Sequence, residues 1–270
     1  MLFRSHARPG NILSVEMLFE GLDVATARAA WAPLEAFVRD HPQDYKVTDP
    51  LLVAPIPARL FWNADFFSKY APGSITRDPR PGAQPSDFWS TGDGIQAAAF
   101  WYGFSSTWLP ASLLKDDGPA RLASAWFEGS RHRDISLHIN KGLAGASPAT
   151  LAASRETSMN PEVLDAFALA ITGGLGPTVY APFPGPNDAI ARASAKQIGL
   201  ADAALRQACP GAGSYLSECD FFMPDWQTRA WGEHYPRLAR IKRRYDPDGS
   251  FTVHHGVGSE AWSPDGFTRV

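Results

Sequence analysis

Two carboxylic acids lie close together in the last quarter of this chain, in the stretch SYLSECD at 214–220. If that stretch forms a strand, Glu218 and Asp220 share one face, because side chains alternate along a strand. A carboxylate with a like-charged neighbour can serve as a general base near neutral pH. The structural alternative is that Asp220 caps the next turn while Glu218 pairs with an arginine. The local sequence alone favours that alternative.

A second candidate is the alternating stretch ISLHIN at 135–140. One set of alternate residues is aliphatic, and the other set is Ser136, His138 and Asn140. A strand side that faces solvent is common in antiparallel sheets. Solvated faces usually carry charges, however, whereas these three side chains are short and hydrogen-bonding. The pattern therefore supports the lining of a cleft and a solvated strand side about equally.

Two adjacent histidines, His254 and His255, precede Glu260 near the C-terminus. Their spacing matches no standard metal site, and adjacent side chains of a strand point to opposite faces. A single histidine directed into a cofactor or substrate pocket is the better interpretation, because imidazole both donates and accepts hydrogen bonds near neutral pH. The sequence therefore predicts no metal ligand here.

The glycines at 173, 174 and 176 resemble a phosphate-binding loop only superficially. Such a loop needs a strand before it and a helix after it. Pro177 and further prolines follow instead, so we predict a turn inside a loop at 173–186. Cys209 and Cys219 are too far apart for a zinc knuckle or a redox pair, and we expect two free thiols.

Composition excludes several classes of protein. The net charge is −3 and 20% of the residues are charged, which gives no basic excess for binding nucleic acid. No apolar run is long enough to span a bilayer, and nothing resembles an export signal. We expect a cytoplasmic protein with no nucleic-acid or membrane partner.

The elements that must position these residues follow from hydrophobic periodicity. Apolar residues alternate at 11–19, and Asp23 is placed to cap a helix that ends near Val38. Prolines make a long helix improbable between 42 and 85. We predict further strands at 97–109, 135–140, 213–218 and 251–255, and helices from Pro119 and at 148–157, 161–171, 187–208 and 228–244. This order predicts one α+β domain over 1–270, with one mostly antiparallel sheet and helices packed mainly on one face.

The last sixty residues contain several motifs in a fixed order: DWQ at 225–227, WG at 231–232, Tyr235, RL at 237–238, IK at 241–242, YDP at 245–247, Phe251 and HGVGSE at 255–260. Together they resemble the terminal segment of berberine-bridge-type FAD-linked oxidases, here at 213–267. The stretches at 137–146 and 159–171 are similar to the substrate domain of bacterial and fungal members. The resemblance covers most of the chain.

The resemblance implies an α+β substrate-binding domain whose sheet covers the flavin of a separate FAD-binding domain. It also implies oxidation of an alcohol, sugar or similar small molecule by hydride transfer to FAD, with O2 as the acceptor. In this family Glu218 stands where members place a tyrosine or glutamate base. The resemblance therefore assigns catalysis to Glu218 and Tyr215.

The same resemblance implies contacts with cofactor and substrate. Ser217 replaces the family's usual asparagine, and the last strand approaches the flavin with His254, His255 and Gly256. His138 and Asn140 fall on the strand that faces substrate.

The family's FAD-binding domain has no counterpart in this resemblance, because this sequence shows no motif of such a domain and no flavin-attachment site. We therefore expect a truncated product or one part of a split enzyme, with FAD held mostly by a domain or subunit outside this chain. The alternative is a non-catalytic fragment that binds a small molecule or dimerises.

Overall fold

A computed structural model describes residues 2–94, 96–140, 143, 145–179, 185–263 and 266–270, with the backbone alone at residues 2–4, 6 and 140. The chain divides into two compact units, one formed by Met1–Met17 with Phe100–Val270 and one formed by Leu18–Ala99. None of the helices among the described residues combines the length and apolarity that crossing a bilayer requires.

The strands, in chain order, are β1 (Leu2–Arg8), β2 (Ile12–Leu18), β3 (Ile75–Arg77), β4 (Phe88–Ser90), β5 (Ala99–Pro110), β6 (Ile135–Asn140) and β7 (Ala166–Thr178). The α-helices are α1 (Val24–Asp40), α2 (Ala64–Tyr70), α3 (Thr91–Gly94), α4 (Gly118–Ser130), α5 (Pro148–Arg155), α6 (Glu162–Asp165), α7 (Asp188–Arg206), α8 (Trp226–Trp231) and α9 (Tyr235–Tyr245). Short 3-10 turns lie at Ala58–Trp62, Ala111–Leu114, Leu216–Glu218, Gly232–His234 and Ser259–Ala261.

The smaller unit consists of α1, α2, α3 and the antiparallel pair of β3 and β4. The Asp23 side chain accepts a hydrogen bond from the Thr26 N–H at 2.7 Å, which confirms the predicted N-cap of α1. The helix between residues 42 and 85, α2, has only seven residues, in agreement with the proline content of this stretch.

The larger unit is built on a five-stranded antiparallel sheet in the order β2-β1-β6-β7-β5. In the register of β6 with its neighbours, Ser136 pairs with Ile171 and His138 pairs with Arg4 and Leu169. Because paired residues share a face, Ser136 and His138 lie on the side of the sheet opposite to Ile135 and Leu137.

The core lies between the helices α4 and α7 and the face of the sheet that carries Ile135 and Leu137. It contains, among others, Leu109, Leu122, Ile135, Leu137, Ala170, Ala201 and Leu205, all less than a tenth exposed. The helices touch closely at Gly129, where an added Cβ would lie 2.9 Å from the carbonyl oxygen of Ala201. This architecture confirms the predicted α+β fold with helices mainly on one face of an antiparallel sheet.

Two predicted elements are wrong in the middle of the chain. The helix predicted over 161–171 ends after one turn at Asp165, and the loop predicted at 173–186 begins with strand residues up to Thr178. The glycines of β7 lie under large side chains: a Cβ on Gly173 would collide with Phe104, and one on Gly176 with Tyr102. Glycine within a strand permits such close approach, so these glycines mark packing rather than a turn.

Candidate functional site

The segment at 212–215 is held against β5 by a buried polar network. Ser106 and Ser214, each 1% exposed, place their hydroxyl oxygens 3.0 Å apart. The Ser214 hydroxyl also donates to the Ser106 carbonyl oxygen at 2.7 Å, and the Tyr215 N–H donates to Ser106 Oγ at 3.1 Å. The Trp108 N–H donates to the Gly213 carbonyl oxygen at 3.0 Å. These bonds fix the backbone immediately before the candidate catalytic residues.

A salt bridge on α7 supports this network from the helix side. Arg206 donates from Nε to Asp202 Oδ2 at 2.8 Å, with both side chains less than a fifth exposed. The remaining guanidinium nitrogens donate to the carbonyl oxygens of Ala212, at 2.8 Å, and Ser106, at 2.9 Å. Asp202 in turn accepts from the Thr107 hydroxyl at 3.1 Å. Arg206 thus joins α7, β5 and the start of the 212–215 segment.

The predicted strand at 213–218 is wrong, because Leu216–Glu218 forms a 3-10 turn. Its first hydrogen bond runs from the Glu218 N–H to the Tyr215 carbonyl oxygen at 3.0 Å. Glu218 and Asp220 therefore do not share a strand face. Asp220 Oδ1 accepts from the Phe222 N–H at 3.0 Å, as the structural alternative predicted for this residue.

The turn presents three of the predicted side chains to the outside. Tyr215 is 41% exposed and its ring lies 6.2 Å from that of Trp108, Ser217 is exposed, and Glu218 is half-buried. Within the part of the chain that the structure describes, Glu218 forms no ion pair, so the second half of the structural alternative is not observed. The Glu218 carboxylate is thus half-buried and has no cationic partner among the described residues.

The two histidines do not lie on a strand, and the predicted strand at 251–255 is wrong. The chain turns here, with His255 at a left-handed φ of +57°. This conformation brings the two imidazole rings together, with centroids 3.9 Å apart, instead of directing them to opposite faces. The expectation of opposed side chains is corrected, because the left-handed residue breaks strand alternation.

The two rings have different surroundings. His254 is exposed, stacks on Phe221 with ring centroids 3.8 Å apart, and has its Nε2 2.6 Å from the Phe221 carbonyl oxygen. His255 is 5% exposed and stacks against Trp226, and its Nδ1 lies 3.8 Å from Cys219 Sγ. Burial and the neighbouring His254 lower the pKa of His255 below its usual 6.5.

Gly256, also a predicted cofactor contact, is buried in the same turn. Its N–H donates to the Val253 carbonyl oxygen at 2.9 Å, and an added Cβ would lie 2.7 Å from the Val253 side chain. Of the four residues predicted to contact the cofactor, the structure therefore exposes Ser217 and His254 and buries His255 and Gly256.

The structure gives Glu260 a partner other than a metal. The Tyr235 hydroxyl donates to Glu260 Oε2 at 2.5 Å, and together with burial this bond raises the pKa of Tyr235 to about 12. Among the described residues no group of three or more histidine, cysteine, aspartate or glutamate side chains could hold a metal ion. Cys209 and Cys219 are free thiols, as predicted, and burial raises the pKa of each.

The strand predicted to face substrate is β6, which belongs to the five-stranded sheet and not to the turn that carries Tyr215 and Glu218. Ser136 and His138 are half-buried on the face away from α4 and α7, whereas the side chain of Asn140 lies outside the described residues. Ser136 lines an open cavity of about 300 Å³ together with Trp101, Phe104 and Arg133. Arg133 and Arg206 were not singled out from the sequence, because a lone arginine carries no motif.

Comparison with known proteins locates the resemblance in the same segment. Residues 214–258 match the family described as berberine and berberine like. The C-terminal region of this chain is therefore similar to the berberine-like family. Residues 214–258 are called the berberine-like segment below. This segment begins at Ser214, which is hydrogen-bonded to Ser106, and ends beyond the turn that contains His254 and His255.

Curated relatives match this chain over short stretches. An FAD-linked oxidoreductase of Aspergillus versicolor is 52% identical over 56 residues, which are 21% of this chain and 9% of the relative. A VAO-type flavoprotein oxidase of Thermothelomyces thermophilus is 43% identical over 63 residues, 23% of this chain and 11% of the relative. The matched stretch thus spans about a tenth of each relative.

Solved structures extend the likeness to the whole fold. A VAO-type flavoprotein from Myceliophthora thermophila superposes with a TM-score of 0.59 and 22% identity, over 97% of this chain and 41% of that one. A carbohydrate oxidase from Microdochium nivale gives a TM-score of 0.55 and 18% identity, over 95% of this chain and 47% of that one. At these identities the likeness shows the fold alone, and the chain spans less than half of either structure.

The residues around the berberine-like segment suit one part of an FAD molecule. Exposed Phe221 and His254 stack on each other with ring centroids 3.8 Å apart in the same segment as Tyr215 and Glu218, and an aromatic face of this kind suits a flavin ring. The described residues offer no glycine-rich turn between a strand and a helix to cradle the phosphates, since the glycines at 173–176 lie inside β7.

Proposed function

We propose that this chain is the substrate-binding part of an FAD-dependent oxidoreductase that oxidises an alcohol, sugar or similar small molecule, with O2 as the final acceptor. The observation that supports this most directly is the presentation of Tyr215 and Glu218 on a turn whose preceding backbone is fixed by Ser106 and Arg206. The turn lies inside the berberine-like segment, and the matched relatives are named FAD-linked oxidoreductases or oxidases.

In this proposal FAD, when bound, accepts a hydride from the substrate carbon. Glu218 takes the proton from the substrate hydroxyl at a carboxylate oxygen, and Tyr215 donates a hydrogen bond that orients that hydroxyl. The hydrogen bonds of Ser106 serve catalysis by holding Tyr215 and Glu218 in place, because a small misplacement of a general base removes much of its contribution to the reaction rate. Phe221 and His254 would contact the flavin ring, and the remainder of FAD would bind to a domain or subunit outside this chain.

The first test is the visible absorption spectrum of the purified chain after gel filtration with added FAD. Retained flavin absorbance supports a partly formed cofactor site. The enzyme assembled with FAD is then mixed with candidate alcohols and sugars, and flavin reduction is followed by stopped flow. We expect Glu218→Gln to slow this reduction by about a hundredfold or more, the usual contribution of a general base.

The matched control is Glu35→Gln, which removes an exposed carboxylate from α1 and should leave flavin reduction unchanged. Full reduction rates in Glu218→Gln would rule out the assigned base. A well-folded chain that retains no FAD would mean that the cofactor is held by the domain or subunit outside this chain. Absence of flavin reduction after the chain is combined with such an FAD-binding domain would favour the alternative of a non-catalytic small-molecule-binding or dimerising fragment. Phe222 and Phe251 are each 84% exposed and give that alternative apolar side chains for self-association.

A further inference from the structure

The cavity beside β7 contains a guanidinium group whose hydrogen-bonding capacity is largely unused. Arg133 donates from Nε to the Gly173 carbonyl oxygen at 3.0 Å, and this is its one hydrogen bond among the described residues. It forms no ion pair within that part of the chain. An arginine carries five N–H donors in a planar fork that matches a carboxylate, so most of these donors are available to a ligand.

The backbone at Gly174 lies close to the guanidinium of Arg133. A Cβ on Gly174 would lie 2.8 Å from Arg133 Nη2 and 3.0 Å from Ser194 Oγ. Gly174 has an ordinary strand conformation, so its lack of a side chain is needed for space and not for backbone freedom. Arg133 and Ser194 therefore converge on one point of β7.

Two hydroxyl groups have no hydrogen-bond partner among the described residues, one on each side of the sheet. Ser136 Oγ and Ser194 Oγ are both inaccessible to solvent and unpaired among the described residues. Ser136 contributes to the cavity wall, but its hydroxyl oxygen is covered, so Arg133 supplies the accessible hydrogen-bond donors of the cavity.

The rest of the cavity wall is aromatic. The rings of Trp101 and Phe104 lie 5.3 Å apart, edge to face, and both line the cavity. The one lining carboxylate, Asp134, lies 3.9 Å from Arg8 Nε, which offsets its charge. A volume of about 300 Å³ suits a small molecule at the lower end of the usual range for ligand pockets.

We propose that this cavity binds the carboxylate of a small aromatic or similarly flat molecule, with Arg133 as the residue that selects the negative charge. Arg133 receives the carboxylate, and the Trp101 and Phe104 rings contact the apolar body. This binding site is proposed independently of the reaction assigned to Glu218 and Tyr215.

The test uses two probes of equal size, benzoate and the neutral benzyl alcohol, titrated into the chain without flavin. Binding is followed at the indole ¹H–¹⁵N resonance of Trp101, assigned with a Trp101→Phe variant. We expect benzoate to shift this resonance, and Arg133→Gln to weaken benzoate binding by about tenfold or more, as for loss of a charge-assisted hydrogen bond. The affinity for benzyl alcohol should be the same in both proteins.

Gly174→Ala is a second variant, which keeps the charge but displaces the guanidinium and should also weaken benzoate selectively. Arg121→Gln, at an exposed arginine paired with Asp117 on α4, is the matched control and should change nothing. Benzoate affinity that is unaffected by Arg133→Gln and Gly174→Ala overturns the proposal, as does the absence of any Trp101 shift in the native chain. These titrations involve no flavin, so their failure leaves the test of Glu218 standing.

Discussion

The N–H of Tyr215 donates a hydrogen bond to the hydroxyl of Ser106 over 3.1 Å, although 109 residues separate them in sequence. Ser106 is 1% exposed, and its carbonyl oxygen also accepts from Ser214 and Arg206. One serine of β5 thus fixes the main chain that presents Tyr215. The position of the candidate catalytic turn depends on a residue far outside the berberine-like segment.

Replacing Ser106 with alanine should destabilise the protein more than the loss of a single oxygen atom suggests. Ser106→Ala removes a hydroxyl that bonds to the Tyr215 N–H and to the buried Ser214 hydroxyl, and leaving a buried polar group without a partner costs about 1–3 kcal/mol. Urea denaturation of the variant measures this loss in the free energy of unfolding. The control is Ser112→Ala, at an exposed serine of the 3-10 turn Ala111–Leu114, which we expect to lie within about 0.5 kcal/mol of native. Equal stabilities of the two variants would contradict the assigned role.

The salt bridge of α7 should matter far more than a similar pair on α4. Arg206→Gln leaves Asp202 and two main-chain carbonyl oxygens in a mostly buried site, and breaking a buried pair costs about 3–5 kcal/mol. Asp117 and Arg121 have the same spacing but are more than half exposed, and such pairs contribute about 0–1 kcal/mol. Thermal unfolding of Arg206→Gln and Arg121→Gln compares the two directly. A similar change in Tm for both would show that Arg206 does not hold the network together.

Two glycines in the packed helices should respond oppositely to alanine. Gly129 of α4 has no space for a Cβ, which would lie 2.5 Å from Ile135 and 2.9 Å from the Ala201 carbonyl oxygen. We expect Gly129→Ala to destabilise the protein by about 1–3 kcal/mol through overpacking. Gly199 of α7 has no atom within 4 Å, so Gly199→Ala should stabilise by up to about 1 kcal/mol through helix propensity. Denaturant midpoints measure both, and a stabilising Gly129→Ala would refute the close helix contact.

The buried His255 should make stability depend on pH. Its pKa in the folded protein is lowered from the usual 6.5, so below that pH the unfolded state binds more protons than the folded state. Stability from this residue is therefore complete above pH 6.5 and is lost as pH falls through the lower pKa of the folded state. His255→Asn, which tolerates the left-handed backbone and does not titrate, should show a smaller loss in the same window. Thermal melts between pH 7.5 and 5 compare the two proteins, and parallel curves would contradict the assignment.

Much of the fold follows from the sequence because it depends on local periodicity. Alternation at 135–140 places Ile135 and Leu137 in the core and Ser136 on the opposite face, and the structure has this arrangement. The cap at Asp23 and the start of the helix near Pro119 are equally local signals. The ordered motifs from Asp225 onward identify the berberine-like segment without knowledge of any contact.

Contacts between distant residues decided the rest. The short apolar run at 166–171 suits a helix or a strand, and pairing of Leu169 and Ile171 with β6 selects the strand. The helix predicted over 228–244 breaks at Gly232, whose left-handed φ of +60° lets it pack against Asn160. Likewise, the left-handed turn at His255 brings its ring onto His254. The sequence determined which residues are available for chemistry, whereas packing across the chain decided which of them meet, because such contacts leave no periodic trace in the local pattern.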